Sequence, residues 1–445
     1  QSLHELIIEK LEIEELIRLA ENSDALSFRN SIYFSIADRY TRNFDFPKAI
    51  GYWEKIDSQA DSPEARARLE QCRNAMMAPL RIGLIGPLSG EYSSYGSAMI
   101  RGVSIALDYY NSRSLLPVRF IPYDNRNEPI LTAQLTRQMI REDSIHAVIG
   151  PIRSMNAIAA GIVASDYQIP LIAPMIMIDD FNQLGFNLFQ LSTPPRIQGE
   201  LIAAYAIKQL GLKYFAVIAP NSTYGHSISQ SFVKTVRQFS AHLIDTLWYD
   251  PADADFNPII EQLRQIILNT PTYQHLIQPV STIKGENKQI IRIDGIFIPA
   301  EKVQDIITVL PQLNYNLISC RFIGNSSWLD DQLFHLSGHL LDSVVIASDD
   351  RLSRNDSLNL KFETDYQTRY HQLPDRIAKK SYDAALLTLE ALNPYPDSSR
   401  DTAGYLGRIE NYEGVSGRIN LKKNYGVNSQ LYFYRIKDRR YIELP

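Results

Sequence analysis

Two histidines four residues apart, His335 and His339 in "HLSGH", have the spacing at which imidazoles on one helical turn grip a zinc ion. The glutamate that would complete a zinc-protease motif is missing and Gly338 weakens the helix, so no metal site is expected. Asp179 with Asp180, Asp330 with Asp331, and Asp349 with Asp350 pair carboxylates, but in loops or at helix starts, where capping accounts for them. Asn221-Ser222-Thr223 is a glycosylation acceptor only in a eukaryotic chain. His226 follows a loop glycine and is expected at solvent or at the rim of a cleft. No nucleophile, base and orienting acid come together by spacing, so binding rather than catalysis is expected, with no cofactor.

The stretch "RIGLIGPLSGEYSSYGSAMIRGVSIALDYYN", residues 81 to 111, reads as a strand, a loop of small and aromatic residues, and a helix. A dinucleotide site would need G-x-G-x-x-G, but Gly83, Gly86 and Gly90 are spaced differently and Pro87 removes a useful amide donor. Asp124 after the second strand only superficially resembles a ribose-binding acid, and no Gly-Lys-Ser/Thr follows to make a P-loop. What remains is a set of hydroxyls and rings, Ser89, Tyr92, Ser93, Ser94 and Tyr95, between a strand end and a helix N-terminus. That place suits a small solute with an acceptor group. A solvated turn whose serines cap the helix is the open alternative.

The elements that would position this loop alternate. "RIGLIG", "VRFIPYD", "HAVIGP", "PLIAP", "YFAVIAP", "DGIFIPA", "CRFIGN" and "SVVIAS" are short apolar runs, mostly followed by helical stretches such as "GELIAAYAIKQLG". Such strands indicate parallel sheets covered on both faces, and the region is too long for one sheet, so two lobes with a cleft are expected. Residues 268 to 293 break the rhythm as a polar excursion before "DGIFIPA". Ahead of the α/β part, residues 1 to 78 read as helices only, with Leu6, Ile13, Leu16 and Ile17 at helical spacing. Ala37, Tyr40, Phe44, Ala49, Ile50 and Tyr52 resemble the small and aromatic positions of a tetratricopeptide helix pair, although little more than one repeat is covered.

In 445 residues, 45% are hydrophobic, enough for sizeable cores, and the net charge of −5 gives no reason to expect nucleic acid as a partner. No apolar run is long enough to span a bilayer. A start at Gln1 without Met suggests that a leader, a lipidated cysteine or a longer N-terminal region lies upstream, a lipid anchor being one of these alternatives. Cys72 and Cys320 fall in different regions and are not expected to pair.

From Arg81 onward the chain resembles the type I periplasmic binding proteins of the branched-chain amino acid receptor group. The matching segments are "IGLIGPLSGEYSSYGSAMIRGVSIALDYYN", "IHAVIGPIRSMNAIAAGIVASDYQIPLIAP", "FQLSTPPRIQGELIAAYAIKQLGLKYFAVIAPNSTYGHS", "DGIFIPAEKVQDIITVLPQLNYN", "SYDAALLTLEAL" and "YEGVSGRINLKKNYGVNSQLYFYRI". The resemblance implies an α/β fold of two Rossmann-like lobes, residues 79–197 plus 328–404 and residues 198–327 plus 405–445, closing on a small-molecule ligand by hinge motion. It also implies an extracytoplasmic, periplasmic location and a membrane permease as partner.

By position, the resemblance carries ligand loops onto Ser89 to Tyr95 including Tyr92, Arg153 to Asn156 with Ser154 and Met155, Met175 to Met177 with Ile176, Tyr224, Ala300, and Asn325 to Trp328 with Ser326. Tyr95 and Tyr224 would be aromatic walls, Ser154 the hydroxyl for a ligand carboxylate, and Arg153 a carboxylate anchor. "MIM" replaces a small residue and a hydroxyl, and "NSS" lacks the carboxylate expected for an ammonium, which points to an apolar or aromatic ligand. Tetratricopeptide-like helices before this fold also resemble the lipoprotein activators of penicillin-binding proteins. That resemblance implies the alternative of a regulator that contacts a peptidoglycan synthase.

Overall fold

The computed structural model describes residues 10–23, 25–42, 45–56, 62–76, 80–112, 118–252, 255–279, 289–352, 357–392 and 399–445. The chain divides into two units, the first made of the described residues of Gln1–Ile176, Asp180–Leu191 and Ser357–Ile409. It begins with helices Ile13–Glu21, Leu26–Arg42, Phe46–Trp53 and Pro63–Met76. Leu16 and Ala20, one turn apart, are buried against Ile32 and Ile36, as the helical period demands, with Ile13 and Ile17 packed beside them. Ala37 and Ala49 are fully buried, Tyr40 stacks on Tyr52 with ring centroids 5.8 Å apart, and the Trp53 indole donates to Thr41 Oγ1 at 3.0 Å. Leu6 and Phe44 of the expected pattern lie outside the described residues.

The same unit holds strands β1 (Leu80–Gly86), β2 (Val118–Asp124), β3 (Ala147–Ile149), β4 (Leu171–Ala173) and β5 (Leu188–Gln190). All pair in parallel, in the order β2-β1-β3-β4-β5. The inner strands are buried on both faces, which is why they read as continuous apolar runs. Helix Ser93–Asn111 crosses helix Arg376–Leu392 at Gly102, where an added Cβ would stand 2.2 Å from the Ala378 carbonyl oxygen. Only a residue without a side chain permits that approach.

The second unit comprises Met177–Asp179, the described residues of Ser192–Asp356, and Glu410–Pro445. Its strands are β6 (Tyr214–Pro220), β7 (His242–Tyr249), β8 (Ile277–Pro279), β9 (Gln289–Ile298), β10 (Ile318–Gly324), β11 (Val344–Ser348), β14 (Tyr432–Lys437) and β15 (Arg440–Leu444), while β12 (Tyr412–Gly414) and β13 (Gly417–Ile419) pair on their own. The large sheet runs β15-β14-β11-β10-β9-β6-β7, with β8 antiparallel on β9. Its five parallel strands repeat the order of the first unit: second, first, third, fourth, fifth.

Three expectations change. Residues 328–352 belong to the second unit, because β11 pairs in parallel with β10 and antiparallel with β14, and a strand buried on both faces stays with its sheet. The return to the first unit comes at Ser357. Strands β7, β14 and β15 were not marked by apolar runs, since their residues alternate between buried and exposed positions toward the sheet edges. Part of the polar excursion forms regular structure: a 3-10 turn at Pro271–Leu276 buries Leu276 and leads into β8, and residues 280–288 lie outside the described residues.

Replacing Gly102 with Ala is expected to remove about 1–3 kcal/mol of stability by forcing the two helices apart. Denaturant unfolding of the full chain measures it, and an unchanged midpoint would show that the crossing yields freely.

Candidate functional site

In a parallel sheet of order 2-1-3-4-5, the connections from the first strand and to the third leave in opposite directions, and the crevice at their carboxyl ends is where ligands bind. In the first unit this point is the pair of loops after β1 and β3. The loop after β1 is held by Asp124, the last residue of β2. Its Oδ1 accepts from the amides of Leu88 at 2.9 Å, Ser89 at 3.3 Å and Arg126 at 3.0 Å, and its Oδ2 accepts from the Ser89 hydroxyl. Burial pushes the Asp124 carboxyl up, but the bonds from the Ser89 hydroxyl and the three amides outweigh it and leave the carboxyl below its usual range. Ser89, expected to meet ligand, is thus engaged in bracing its own loop.

The structure brings Tyr92, Tyr95 and Arg153 together. The Arg153 guanidinium lies 4.9 Å from the centroid of the Tyr92 ring, and the two tyrosine rings are 5.8 Å apart. Ser154 opens helix Ser154–Asp166 directly after Arg153, so its hydroxyl and the first free amides of the helix accompany the guanidinium. Behind them Asn156 Nδ2 donates to Asn127 Oδ1 at 3.0 Å, tying the loops after β2 and β3. Asn125 Nδ2 and Asn156 Oδ1 are buried without a hydrogen-bond partner among the described residues. Met155 is 65% exposed and points to solvent instead, while Ile176 is fully buried and Met175 half-buried.

In the second unit the corresponding loops follow β6 and β9. Ser222 caps helix Thr223–Gln238 by accepting from the Gly225 amide at 3.0 Å, and its hydroxyl donates to Glu301 just beyond β9. Gly225 is required there, because a Cβ would stand 2.1 Å from the Pro220 carbonyl oxygen; Gly96 meets Pro87 in the same way in the first unit. Asn325 Nδ2 donates at 2.8 Å to both the Tyr224 hydroxyl and the Ala300 carbonyl, so the loops after β6, β9 and β10 are joined by one amide. The carbonyl acceptor fixes which end of that amide is nitrogen, and Asn325 Oδ1 has no partner among the described residues. The His226 ring packs on Trp248 at 4.0 Å and its Nε2 is 2.8 Å from Asn221 Oδ1.

Two further expectations are corrected here. Trp328 is fully buried, with its indole N–H on the Ile298 carbonyl at 3.0 Å and its ring over Gly324, and Ala300 is buried in the same core. Neither side chain is available to a solute, whereas Ser326 and Tyr224 stay half-buried. Met177 is half-buried within 3.8 Å of Gln198 Nε2. The expected capping of acidic pairs is seen at Asp179, which accepts from the Arg196 amide at 2.9 Å, and at Asp330, which accepts from Gln332.

Sequence reasoning missed the acidic groups of this unit. Glu301 is exposed beside Ser222, and Asp305 is 8% exposed with the Tyr249 hydroxyl donating to it at 3.0 Å. Burial raises the Asp305 carboxyl above its usual range, against the Tyr249 bond and the Lys302 charge. Both acids lie just past the third parallel strand, the position the strand order singles out. The first unit therefore offers donors and the second acceptors. Among the described residues no group of three or more His, Cys, Asp or Glu could hold a metal, and no helix is long and apolar enough to cross a membrane.

This fold, with a parallel sheet in one unit and a mixed sheet in the other, is that of the type I periplasmic binding proteins, and residues 79–273 match the model of the periplasmic binding protein family. The Leu/Ile/Val-binding protein BraC3 of Rhizobium johnstonii is 24% identical over 191 residues, 42% of this chain and 52% of that protein. The chain thus spans about half the length of the curated relatives it matches. A solved protein of Rhodospirillum rubrum superposes with a TM-score of 0.70 at 20% identity, covering 82% of this chain and 99% of the other. A Rhodopseudomonas palustris solute-binding protein in complex with benzoate gives 0.58 at 17% identity, covering 82% and 95%.

Replacing Asp124 with Asn is expected to cost about 1–2 kcal/mol at neutral pH, because three amides and a hydroxyl lose a charged acceptor. The native carboxyl titrates below its unfolded value, so its contribution is complete above roughly pH 4 and fades as the pH falls through the native value. Urea midpoints of both proteins from pH 7 to pH 3 should converge at the acid end; a constant gap would contradict the latch.

Proposed function

We propose that this chain is an extracytoplasmic solute-binding protein, the capture subunit of an ABC-type transporter, whose strand-end loops bind a small solute with a carboxylate and an apolar or aromatic body. Arg153 carries the reading. Its guanidinium is exposed, rests on the Tyr92 ring and has no hydrogen-bond or ion-pair partner among the described residues. A guanidinium braced by an aromatic face presents its fork to a carboxylate at low entropic cost, and Ser154 adds a hydroxyl beside it. Benzoate, bound by the Rhodopseudomonas protein, and the branched-chain amino acids named for the Rhizobium relative share a carboxylate on an apolar body. Met175 and Met177 would adapt to that body, and Tyr95, Tyr224 and Ser326 would complete its surroundings. If the solute also carries an ammonium, Glu301 and Asp305 are the acceptors for it, in place of the carboxylate that "NSS" lacks. The reading makes the chain a binding protein, not an enzyme, with a membrane permease as its partner.

One observation favours a second reading. The N-terminal helices share a unit with the first sheet, and helices ahead of this fold would suit a regulator of peptidoglycan synthesis that works through protein contacts, like the penicillin-binding-protein activators the sequence resembles. Thermal unfolding against leucine, isoleucine, benzoate, dihydroxybenzoate and muropeptide fragments separates the two. A solute at about 100 times its Kd adds roughly 2.7 kcal/mol to the native state. The first reading expects such a rise with one carboxylate class, and about a tenfold or greater loss of affinity in Arg153→Gln. No rise with any of these solutes in a folded sample would reject it in favour of the second.

A further inference from the structure

The seam between the helical segment and the α/β part of the first unit encloses a cavity of about 300 Å³, far from the strand-end loops in sequence and built by other residues. Arg42 at the end of helix Leu26–Arg42 and Arg68 of helix Pro63–Met76 line one side, and Arg369 with Asp108 lines the other. Arg42 pairs with Asp38 at 2.5 Å and Arg369 pairs with Asp108. Each carboxylate therefore answers one guanidinium. Arg68, half-buried in the same wall, has neither a hydrogen bond nor an ion pair among the described residues.

A guanidinium withdrawn from water keeps most of its desolvation penalty until an anion meets it. Three guanidinium groups against two carboxylates leave the cavity lining one positive charge in excess, and a neutral group would leave Arg68 uncompensated. An oxyanion answers both conditions, because its oxygens accept from two guanidinium forks at once. The volume holds on the order of ten waters, enough for a phosphate or carboxylate group with part of its hydration.

We propose that this cavity is an oxyanion site, taking a phosphate or carboxylate group that bridges Arg68 to the Arg42 or Arg369 pair and fastens the helical segment to the α/β part. It is separate from the solute loops and independent of the function proposed for them. Isothermal titration of the full chain with inorganic phosphate, and in a second arm acetate, at constant ionic strength in chloride tests it. The expected result is saturable one-to-one binding of at least one of these anions that persists in Arg153→Gln and weakens at least tenfold in Arg68→Gln. Phosphate alone would assign a phosphoryl group, and acetate alone a carboxylate. Arg369→Gln, on the opposite wall, should weaken the same binding and serves if Arg68→Gln does not fold. Heats that do not saturate for either anion, binding that disappears in Arg153→Gln, or equal affinity in a folded Arg68→Gln or Arg369→Gln protein would overturn the proposal.

Discussion

The order of the parallel strands is the constraint on which the rest of this molecule depends. Right-handed crossovers into a sheet ordered 2-1-3-4-5 force the chain to leave the first strand toward one edge and to enter the third toward the other. The loops at that reversal cannot pack on each other, so a crevice opens at their carboxyl ends. The chain builds this reversal twice, between β1 and β3 and between β6 and β9. Each time the first helix has a glycine where it passes the preceding carbonyl, Gly96 at Pro87 and Gly225 at Pro220.

Loops left open by topology need internal bracing, and the two units brace them differently. The first uses the Asp124 carboxylate, whose oxygens gather the amides of two loops. The second uses the Asn325 amide, which donates to a carbonyl and a phenol on two others. A charged acceptor braces one and a neutral donor the other; Arg153 and Ser154 stand near the first reversal, and exposed Glu301 with the buried Asp305–Tyr249 pair near the second. Buried polar atoms without partners among the described residues, such as Asn125 Nδ2 and Asn325 Oδ1, lie in these same loops. Incomplete satisfaction of this kind is tolerated where water or a ligand completes it.

Much of this was legible in the residues. Strands buried on both faces announce themselves as apolar runs, so β1, β3, β4, β6, β9, β10 and β11 stand near where the pattern puts them. Edge strands such as β7 and β15 are wetted on one side and carry no such run. Residues 328–352 were misassigned because the side on which a strand joins a sheet depends on partners distant in sequence, here Tyr432–Lys437. Site residues follow the same division. Tyr92, Tyr95 and Arg153 are adjacent to strand ends, where the pattern points, and the structure brings them together. Trp328 and Ala300 follow strands too, but a bulky ring above Gly324 and a small side chain under Asn325 turn into the core, which no one-dimensional pattern reveals. Glu301 and Asp305 passed unnoticed because a lone acid at a helix start reads as a cap.

The central claim is that the strand-end loops bind a carboxylate solute. Amide hydrogen exchange of the full chain, with and without a carboxylate solute that raises its melting temperature, tests that claim most directly. Slowed exchange is expected at residues 86–95 and 150–156, the loops that carry Tyr92, Tyr95 and Arg153. Unchanged exchange there, or protection confined to the N-terminal helices, would contradict it.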